Sequence, residues 1–516
     1  MGILNLALKK FHGGVHPKEN KDLAKHCPIE ELPMPKRLYV PLQQHSGTAC
    51  EPCVKPGDKV FKGQLIGRTI ANVSSPVHAP TSGTIEAILD HVVGHYSGLT
   101  DQCVVLLPDG NDQWDPSLKG LDNPFEADSK AIRDKVRDAG VVGLGGAVYP
   151  THIKLSPPRG KPVDVMLING VECEPYITND TRIMEERSRE IVEGAQLMMR
   201  AIQCSSCLIC IEANKPGAIQ AMEKAVEGVP NFRVVVLPVR YPQGAKNQLI
   251  EAITHRQVPS GGRSTDTGAT VQNVATSAAV RDAVLYGRPL IRRVVTVSGR
   301  GIVRPANLDV PIGTPIQDLI DHCGGLKPGV QQIIMNGPMM GTALHDLQSP
   351  VVKATAAVLA FMPNEIHNEP EQPCIRCGNC LEVCPVELTP CEIVWRAKHD
   401  LIDQLPEVHV KDCIECGSCA YACPANIPLV HYIRYGKMAV AAKRNEKEKT
   451  EMTRLRNQAK LARLEAEKAE KERKKEEMRL ASEARKKAAA AAPKPAADAP
   501  AAPAAPAPTS TVESHS

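Results

Sequence analysis

The sequence predicts a multidomain α/β protein, with a small β domain in front, a parallel α/β domain in the middle and a helical cysteine module behind. Three observations carry this prediction. At 516 residues the chain is too long for one hydrophobic core, and about three to four domains suit its length. Between residues 129 and 239 strand-like and helix-like segments alternate, which is the pattern of a parallel sheet. Near the C-terminus eight cysteines fall in two runs of identical spacing.

Composition narrows the function classes. The formal net charge is +4 and most basic residues are offset locally by acids, so nothing argues for nucleic acid. No stretch approaches the roughly 18 apolar residues of a membrane span. The nearest, 351–362, is short and holds Lys353. The N-terminus does not read as a signal peptide. Met1-Gly2 begins like a myristoylation site, but Leu6 stands where that motif needs a hydroxyl. Eighteen cysteines without a secretory signal point to metal in a reducing compartment, and the cytoplasm is expected.

Residues 1–30 form an N-terminal extension. In 31–115, Val54-Lys-Pro-Gly57-Asp58-Lys-Val60 and Pro76-Val-His78-Ala-Pro80-Thr-Ser-Gly83 break short alternating strands with turns, giving a small β sandwich. It is similar to the barrel-sandwich hybrid of biotinyl and lipoyl carriers. Those carriers present a modified lysine at a hairpin tip. His78-Ala-Pro-Thr-Ser-Gly stands there instead, so a structural domain without a swinging arm is expected.

The α/β domain is expected over 116–288, with helices at 129–139, 183–201 and 218–226 and strands at 163–168, 208–211 and 234–239. After the first helix comes Gly140-Val-Val-Gly143-Leu-Gly145-Gly146-Ala-Val-Tyr149-Pro-Thr-His-Ile-Lys154. Glycines at this density let the backbone approach a phosphate closely, although a plain turn explains such a loop equally well. Directly after the strand at 163–168 lies Asn169-Gly-Val-Glu172-Cys-Glu174-Pro175, at the strand end where α/β sheets bind ligands. In 289–365, strand-like 294–297 and the turn at Gly313 precede a helix at 316–323.

In 366–438 the runs are Cys374-Ile-Arg-Cys377-Gly-Asn-Cys380-Leu-Glu-Val-Cys384-Pro385 and Cys413-Ile-Glu-Cys416-Gly-Ser-Cys419-Ala-Tyr-Ala-Cys423-Pro424. Both follow the spacing of bacterial ferredoxins, in which the fourth cysteine ligates the other cluster. Cys374, Cys377, Cys380 and Cys423 are therefore assigned to one 4Fe–4S cluster, and Cys413, Cys416, Cys419 and Cys384 to the second. The fourth cysteine of each run is expected to open a helix. Zinc places no demand on this rhythm or on the proline. Residues 439–516 are expected to form a charged, solvated helix up to about residue 490, followed by a disordered Ala/Pro-rich tail.

The order and wording of these motifs resemble one family over roughly residues 10–435. Gly-Leu-Gly-Gly-Ala-Val-Tyr-Pro-Thr-His-Ile-Lys, Asn-Gly-Val-Glu-Cys-Glu-Pro, Tyr241-Pro-Gln-Gly244 and Val271-Gln-Asn273-Val-Ala-Thr276 resemble the NADH- and FMN-binding subunit of respiratory complex I. They resemble still more closely the C subunit of the Rnf (Rsx) ion-translocating electron-transport complex. The resemblance implies a Rossmann-like FMN/NADH domain at 116–288, a β-grasp (SLBB) module at 289–365 and a ferredoxin-type module of two 4Fe–4S clusters. It implies non-covalent FMN held by Gly143, Gly145, Gly146 and Lys154 at the phosphate and ribityl chain. It places Asn169, Glu172, Asn273 and Thr276 on the flavin, and Tyr149 and Glu174 on the side of NAD(H). No side chain acts as a catalytic acid, base or nucleophile.

Val171 stands where complex I has an acidic residue, and Ala245-Lys246 replaces an acidic pair. Both departures favour the Rnf reading. That reading implies an oxidoreductase (translocase) subunit on the cytoplasmic face of the bacterial inner membrane. Its partners would be NADH, membrane subunits, and an iron–sulfur subunit that exchanges electrons with ferredoxin. Pumping would belong to those partners. The alternatives are a soluble NADH-linked flavin/iron–sulfur subunit of a hydrogenase or formate dehydrogenase, and a non-enzymatic ferredoxin-type relay. Cys204, Cys207 and Cys210 lack a Cys-Pro fourth ligand and read as core. Cys50 and Cys53 have redox-like spacing without a thioredoxin-like βαβ, and Cys391 is expected to pack beside the first cluster.

Overall fold

The computed structural model describes residues 8–95, 98–366 and 369–491. The chain up to Val440 is one compact unit and the residues from Ala441 form another. The myristoylation-like start and the expected disordered tail lie outside the described residues.

The N-terminal β region is two antiparallel sheets. One runs Leu38–Pro41, Thr100–Pro108, Gly83–Val92, Lys59–Val60; the other runs Glu51–Pro52, Leu65–Arg68, Val77–His78. Alternating apolar positions from both sheets meet in one core, with Leu38, Val40, Ile66, Ile85 and Leu106 fully buried. The segment from His78 to Gly83 is buried rather than exposed at a tip. The Lys353 ammonium clamps it by donating to the carbonyls of Pro76 (3.0 Å) and Gly140 (2.7 Å).

The middle of the chain is a four-stranded, all-parallel sheet in the order Phe232–Leu237, Cys207–Glu212, Val165–Gly170, Ala269–Asn273. Both faces are covered, which is why its strands are near-continuous apolar runs. Met166 and Ile168 pack toward Leu197 and Met198, while Leu167 packs toward Leu249 and Ile250. Two helices, Asn179–Glu186 and Ser188–Ile202, occupy the span expected as one. The chain breaks at Arg187 (φ −128°), whose guanidinium turns to Asp309 at 2.9 Å. A tertiary ion pair therefore overrides a continuous helical pattern.

The next sheet is mixed and six-stranded: Ile29–Glu31, Ala306–Pro311, Arg292–Ser298, Ala357–Phe361, Gln332–Met335, Thr342–Ala343. Helix Ile316–His322 packs on it. Its first strand comes from the N-terminal extension, pairing Ile29 with Asn307 in parallel. The cysteine module consists of short helices Asn379–Glu382 and Ser418–Tyr421, a helix Pro390–Lys398 and the start of a helix Leu429–Ala490. Cys384 and Cys423 do not open helices. Each follows a four-residue helix and lies in the turn that its proline enforces. Every residue from Arg444 to Ala491 is exposed. Ion pairs at helical spacing, such as Arg479 with Glu483 at 3.1 Å, line that solvated helix.

Candidate functional site

The strand order places a topological switch point between Val165–Gly170 and Ala269–Asn273, and ligands bind beyond the strand ends at such points. Asn169 and Asn273 are register partners there, at the C-terminal ends of the two neighbouring strands. The Asn169 amide donates to the Gly244 carbonyl (2.9 Å) and its oxygen accepts from Val171 N–H (3.1 Å). The Asn273 oxygen caps helix Val274–Tyr286 by accepting from Ala275 N–H (2.9 Å) and Thr276 N–H (3.3 Å). That helix therefore presents its positive end to the crevice.

The glycine loop closes over the same helix start. Gly143 N–H donates to the Tyr149 carbonyl (2.9 Å), and Leu144 N–H donates to the Thr276 hydroxyl (2.8 Å). Gly145, Gly146 and Ala147 are exposed. At Gly145 a Cβ would reach Asn273 Cβ in ordinary contact at 3.4 Å, while Gly146, at φ +111°, has nothing within 4 Å. The loop is thus open to an anion at Gly146 and lies beside Asn273 at Gly145. Lys154 is half-buried and donates to the Val271 carbonyl (2.5 Å). Burial, with Lys246 nearby, pulls its ammonium down to about 8.

Around this crevice lies a network of charged side chains. Glu172 has φ +48°, a costly conformation for a non-glycine residue. Its carboxylate accepts from Asp180 N–H (2.7 Å), Thr181 N–H (3.2 Å) and the Thr181 hydroxyl (2.5 Å). Lys21, 7% exposed, stands 3.5 Å from that carboxylate and donates to the carbonyls of Glu174 (2.9 Å) and Ile177 (2.5 Å). Asp180 accepts from the Asn273 amide (2.6 Å). Burial and the charge of Glu172 push it up to about 7. Arg293, 2% exposed, donates to the carbonyls of Thr355 (3.2 Å) and Leu144 (3.4 Å). Lys21, Asp180 and Arg293 were missed in the sequence, where nothing but distant pairing marks them. The buried polar atoms of Gln272 and the Gln243 amide have no hydrogen-bond partner, so the strand end and the glycine turn carry polar capacity for a ligand. These residues fit a flavin mononucleotide.

Tyr149 is half-buried at the base of the glycine loop. Glu174 faces the cysteine module. Its carboxylate accepts from Met339 N–H (3.1 Å) and lies 3.4 Å from the Tyr241 hydroxyl, which donates to the Cys416 carbonyl (2.6 Å). Burial pushes Glu174 up to about 7, against the pull of the Met339 amide.

Cys384, Cys413, Cys416 and Cys419 line one cavity, with Pro385, Leu388, Ile393, Ile414, Val430 and Ile433 as apolar walls. Leu388 N–H points at Cys384 Sγ (3.3 Å) and Glu415 N–H at Cys413 Sγ (3.4 Å). Among the described residues no three such side chains already converge as metal ligands, so the thiols rim the cavity rather than meet at a point. Four soft sulfur donors, backbone donors and a dry wall fit an iron–sulfur cube. Of the first run, Cys374 and Cys377 are exposed and Cys380 is half-buried against Cys391. Cys423 is brought to the same side by pairing of Gln372 N–H with the Ala425 carbonyl (2.9 Å). Cys204, Cys207 and Cys210 are core residues. Buried Cys50 donates to the Ser75 carbonyl, whereas Cys53 is exposed.

Family models match the chain in the same order. They are the RnfC barrel-sandwich hybrid domain over 9–111, the Nuo51 FMN-binding domain over 136–282, the SLBB domain over 294–343 and the 4Fe–4S dicluster domain over 373–427. The chain is 46% identical over 429 residues to the C subunit of the proton-translocating ferredoxin:NAD(+) oxidoreductase complex of Clostridium ljungdahlii, covering 83% of this chain and 93% of that one. It is 43% identical to the C subunit of the ion-translocating oxidoreductase complex of Rhodobacter capsulatus, over 85% of this chain and 84% of that one. A Serratia proteamaculans protein of the same description is 41% identical over 94% of this chain and 68% of its own length.

Proposed function

The chain belongs to the family of C subunits of ion-translocating (Rnf-type) oxidoreductase complexes, and from that premise we infer that it joins NADH oxidation or formation to one-electron transfer within such a complex. The observation that carries the reading is the junction itself. The loop at the flavin crevice and the loop bearing Cys416 meet through Glu174, Met339 and Tyr241. FMN bound in the crevice supplies the conversion between two-electron hydride chemistry and single electrons.

The residues divide that work by position. Gly143, Gly145 and Gly146, with the capped start of helix Val274–Tyr286, receive the phosphate end, and Lys154 adds positive charge beside them. Asn169, Glu172, Asn273 and Thr276 set the flavin's orientation from the two strand ends. Tyr149 stands on the nicotinamide side. Glu174 is assigned to the same side, although its carboxylate is turned to Met339 N–H and the Tyr241 hydroxyl at the cysteine module. Cys384, Cys413, Cys416 and Cys419 hold the cluster nearer that loop. Cys374, Cys377, Cys380 and Cys423 hold the outer one, whose exposed edge, with Ile375 69% exposed, is where an electron leaves for another subunit.

No helix among the described residues is long and apolar enough to cross a membrane. In this reading, which rests on the family, cation movement belongs to partner subunits and the chain sits peripherally on the cytoplasmic face of the inner membrane. An anaerobic NADH titration of the purified chain tests the reading: flavin bleaching and cluster reduction should advance together. Unchanged spectra in a chain that releases FMN on acid treatment would refute NADH as donor, and absence of FMN would refute the dehydrogenase reading altogether.

A further inference from the structure

We propose that Tyr241 is a positioning residue for the cluster held by Cys384, Cys413, Cys416 and Cys419, its hydroxyl fixing the Cys416–Gly417 peptide and raising that cluster's reduction potential. The inference rests on the ligand assignment made above and goes beyond it.

The geometry is specific to this cluster. Tyr241 is 2% exposed, and its backbone is held on both sides by Val15, whose N–H donates to the Tyr241 carbonyl (2.8 Å) and whose carbonyl accepts from Tyr241 N–H (2.9 Å). With the main chain clamped, the phenol reaches across the module boundary and donates to the Cys416 carbonyl at 2.6 Å. Tyr241, Val15 and Cys416 form one buried apolar cluster, against which Cys173, Met339, Val383 and Ile414 pack.

The carbonyl it binds belongs to a ligand residue, and the same peptide carries the Gly417 N–H. That amide makes no backbone hydrogen bond among the described residues. A donor on a peptide's oxygen polarises the whole amide and strengthens its N–H as a donor. Hydrogen bonds and fixed dipoles at a cluster stabilise its reduced, more negative state. Among the described residues no side chain donates to the equivalent carbonyl of Cys377 in the first run. The effect should therefore fall on one cluster of the two.

Three further contacts tie this side of the cysteine module down. Gly14 N–H donates to the Val383 carbonyl (2.9 Å), the Gln248 amide donates to the Pro385 carbonyl (3.0 Å), and Gly417 approaches the Met339 carbonyl closely. They hold the loop in place without the phenol. Tyr241→Phe should thus leave the fold standing while removing one dipole.

The test is a potentiometric titration of the full chain, purified anaerobically with both clusters, followed by electron paramagnetic resonance. The wild-type chain must first show two clusters; a single cluster would overturn the ligand assignment and this inference with it. With two present, Tyr241→Phe should lower one midpoint by about threefold to tenfold in the reduction equilibrium, tenfold being about 59 mV for one electron. The other midpoint should not move. A chain with 3-fluorotyrosine at position 241, a stronger donor of nearly the same size, should move that same midpoint upward. It also decides the matter if Tyr241→Phe fails to load. Two unmoved midpoints, or two that shift together, would overturn the role of Tyr241 and leave the ligand assignment standing.

Discussion

The two cysteine runs are nearly the same local structure in two different surroundings. Arg376 and Glu415, the residues before the second cysteine of each run, have φ of +56° and +57°, and Gly378 and Gly417 have φ of +86° and +81°. Each run then makes a four-residue helix and a Cys-Pro turn. Yet Cys374 and Cys377 of the first run are exposed, whereas their counterparts Cys413 and Cys416 in the second are half-buried and buried. The spacing sets the ligand cage, and the packing around it sets access and potential. The inner run faces the flavin loop, and the outer run faces whatever the chain meets.

The largest expected effect breaks this pair apart. Cys416→Ser should abolish NADH-driven reduction of both clusters, because the inner one receives the electron first. Cys374→Ser should remove about half the iron while leaving the inner cluster reducible by NADH. Equal loss in both variants, measured by iron content and anaerobic titration, would show that the clusters are not in series.

A smaller effect separates the two glycines. Any Cβ at either position meets the strain of a positive φ, about 1 kcal/mol. At Gly378 there is nothing else within 4 Å, but at Gly417 the new atom would stand 2.7 Å from the Met339 carbonyl oxygen. Gly417→Ala should therefore cost clearly more than Gly378→Ala in denaturant unfolding, by about 1–3 kcal/mol.

The carboxylate beside the inner run gives a pH signature. Folded Glu174 titrates at about 7, above its ordinary 4.5, so the folded chain holds that proton more tightly than the unfolded one. Its contribution to stability is fully present below pH 4.5, and it is lost as pH rises to about 7. Glu174→Gln should flatten the stability profile across that window. An unchanged slope would place its origin elsewhere, with Asp180 the next candidate.

The smallest effect lies at the positions before the second cysteines. Glu415 pairs with Arg434 (2.9 Å) and Lys437 (2.5 Å). These are partly exposed ion pairs, so Glu415→Gln should cost only about 0.2–1 kcal/mol, less at high salt, in the same unfolding measurement.

Much of the architecture was legible because its signals are local. The cysteine rhythm, the glycine loop and the strand-to-loop passage into Asn169 each reside within a dozen or so neighbouring residues. The alternation of elements gave the parallel sheet, though not the break at Arg187, which a partner more than a hundred residues away decides. The turn position of Cys384 and Cys423 was not legible, because a Cys-Pro step suits a helix start as well as a helix end; here each follows a four-residue helix, and the residue before proline is disfavoured in the helical conformation.

What the sequence by itself determined is the set of donors: eight thiols at ferredoxin spacing, a glycine loop, and two asparagines at strand ends. Those depend on covalent spacing and backbone freedom, which short stretches of chain specify. Only the tertiary structure decided which thiols are buried and what faces them. Lys21 reaches the Glu174 carbonyl across 153 residues, and Tyr241 reaches Cys416 across 175. Contacts of that separation follow from how whole modules pack, because burial and fixed dipoles arise only when distant surfaces meet.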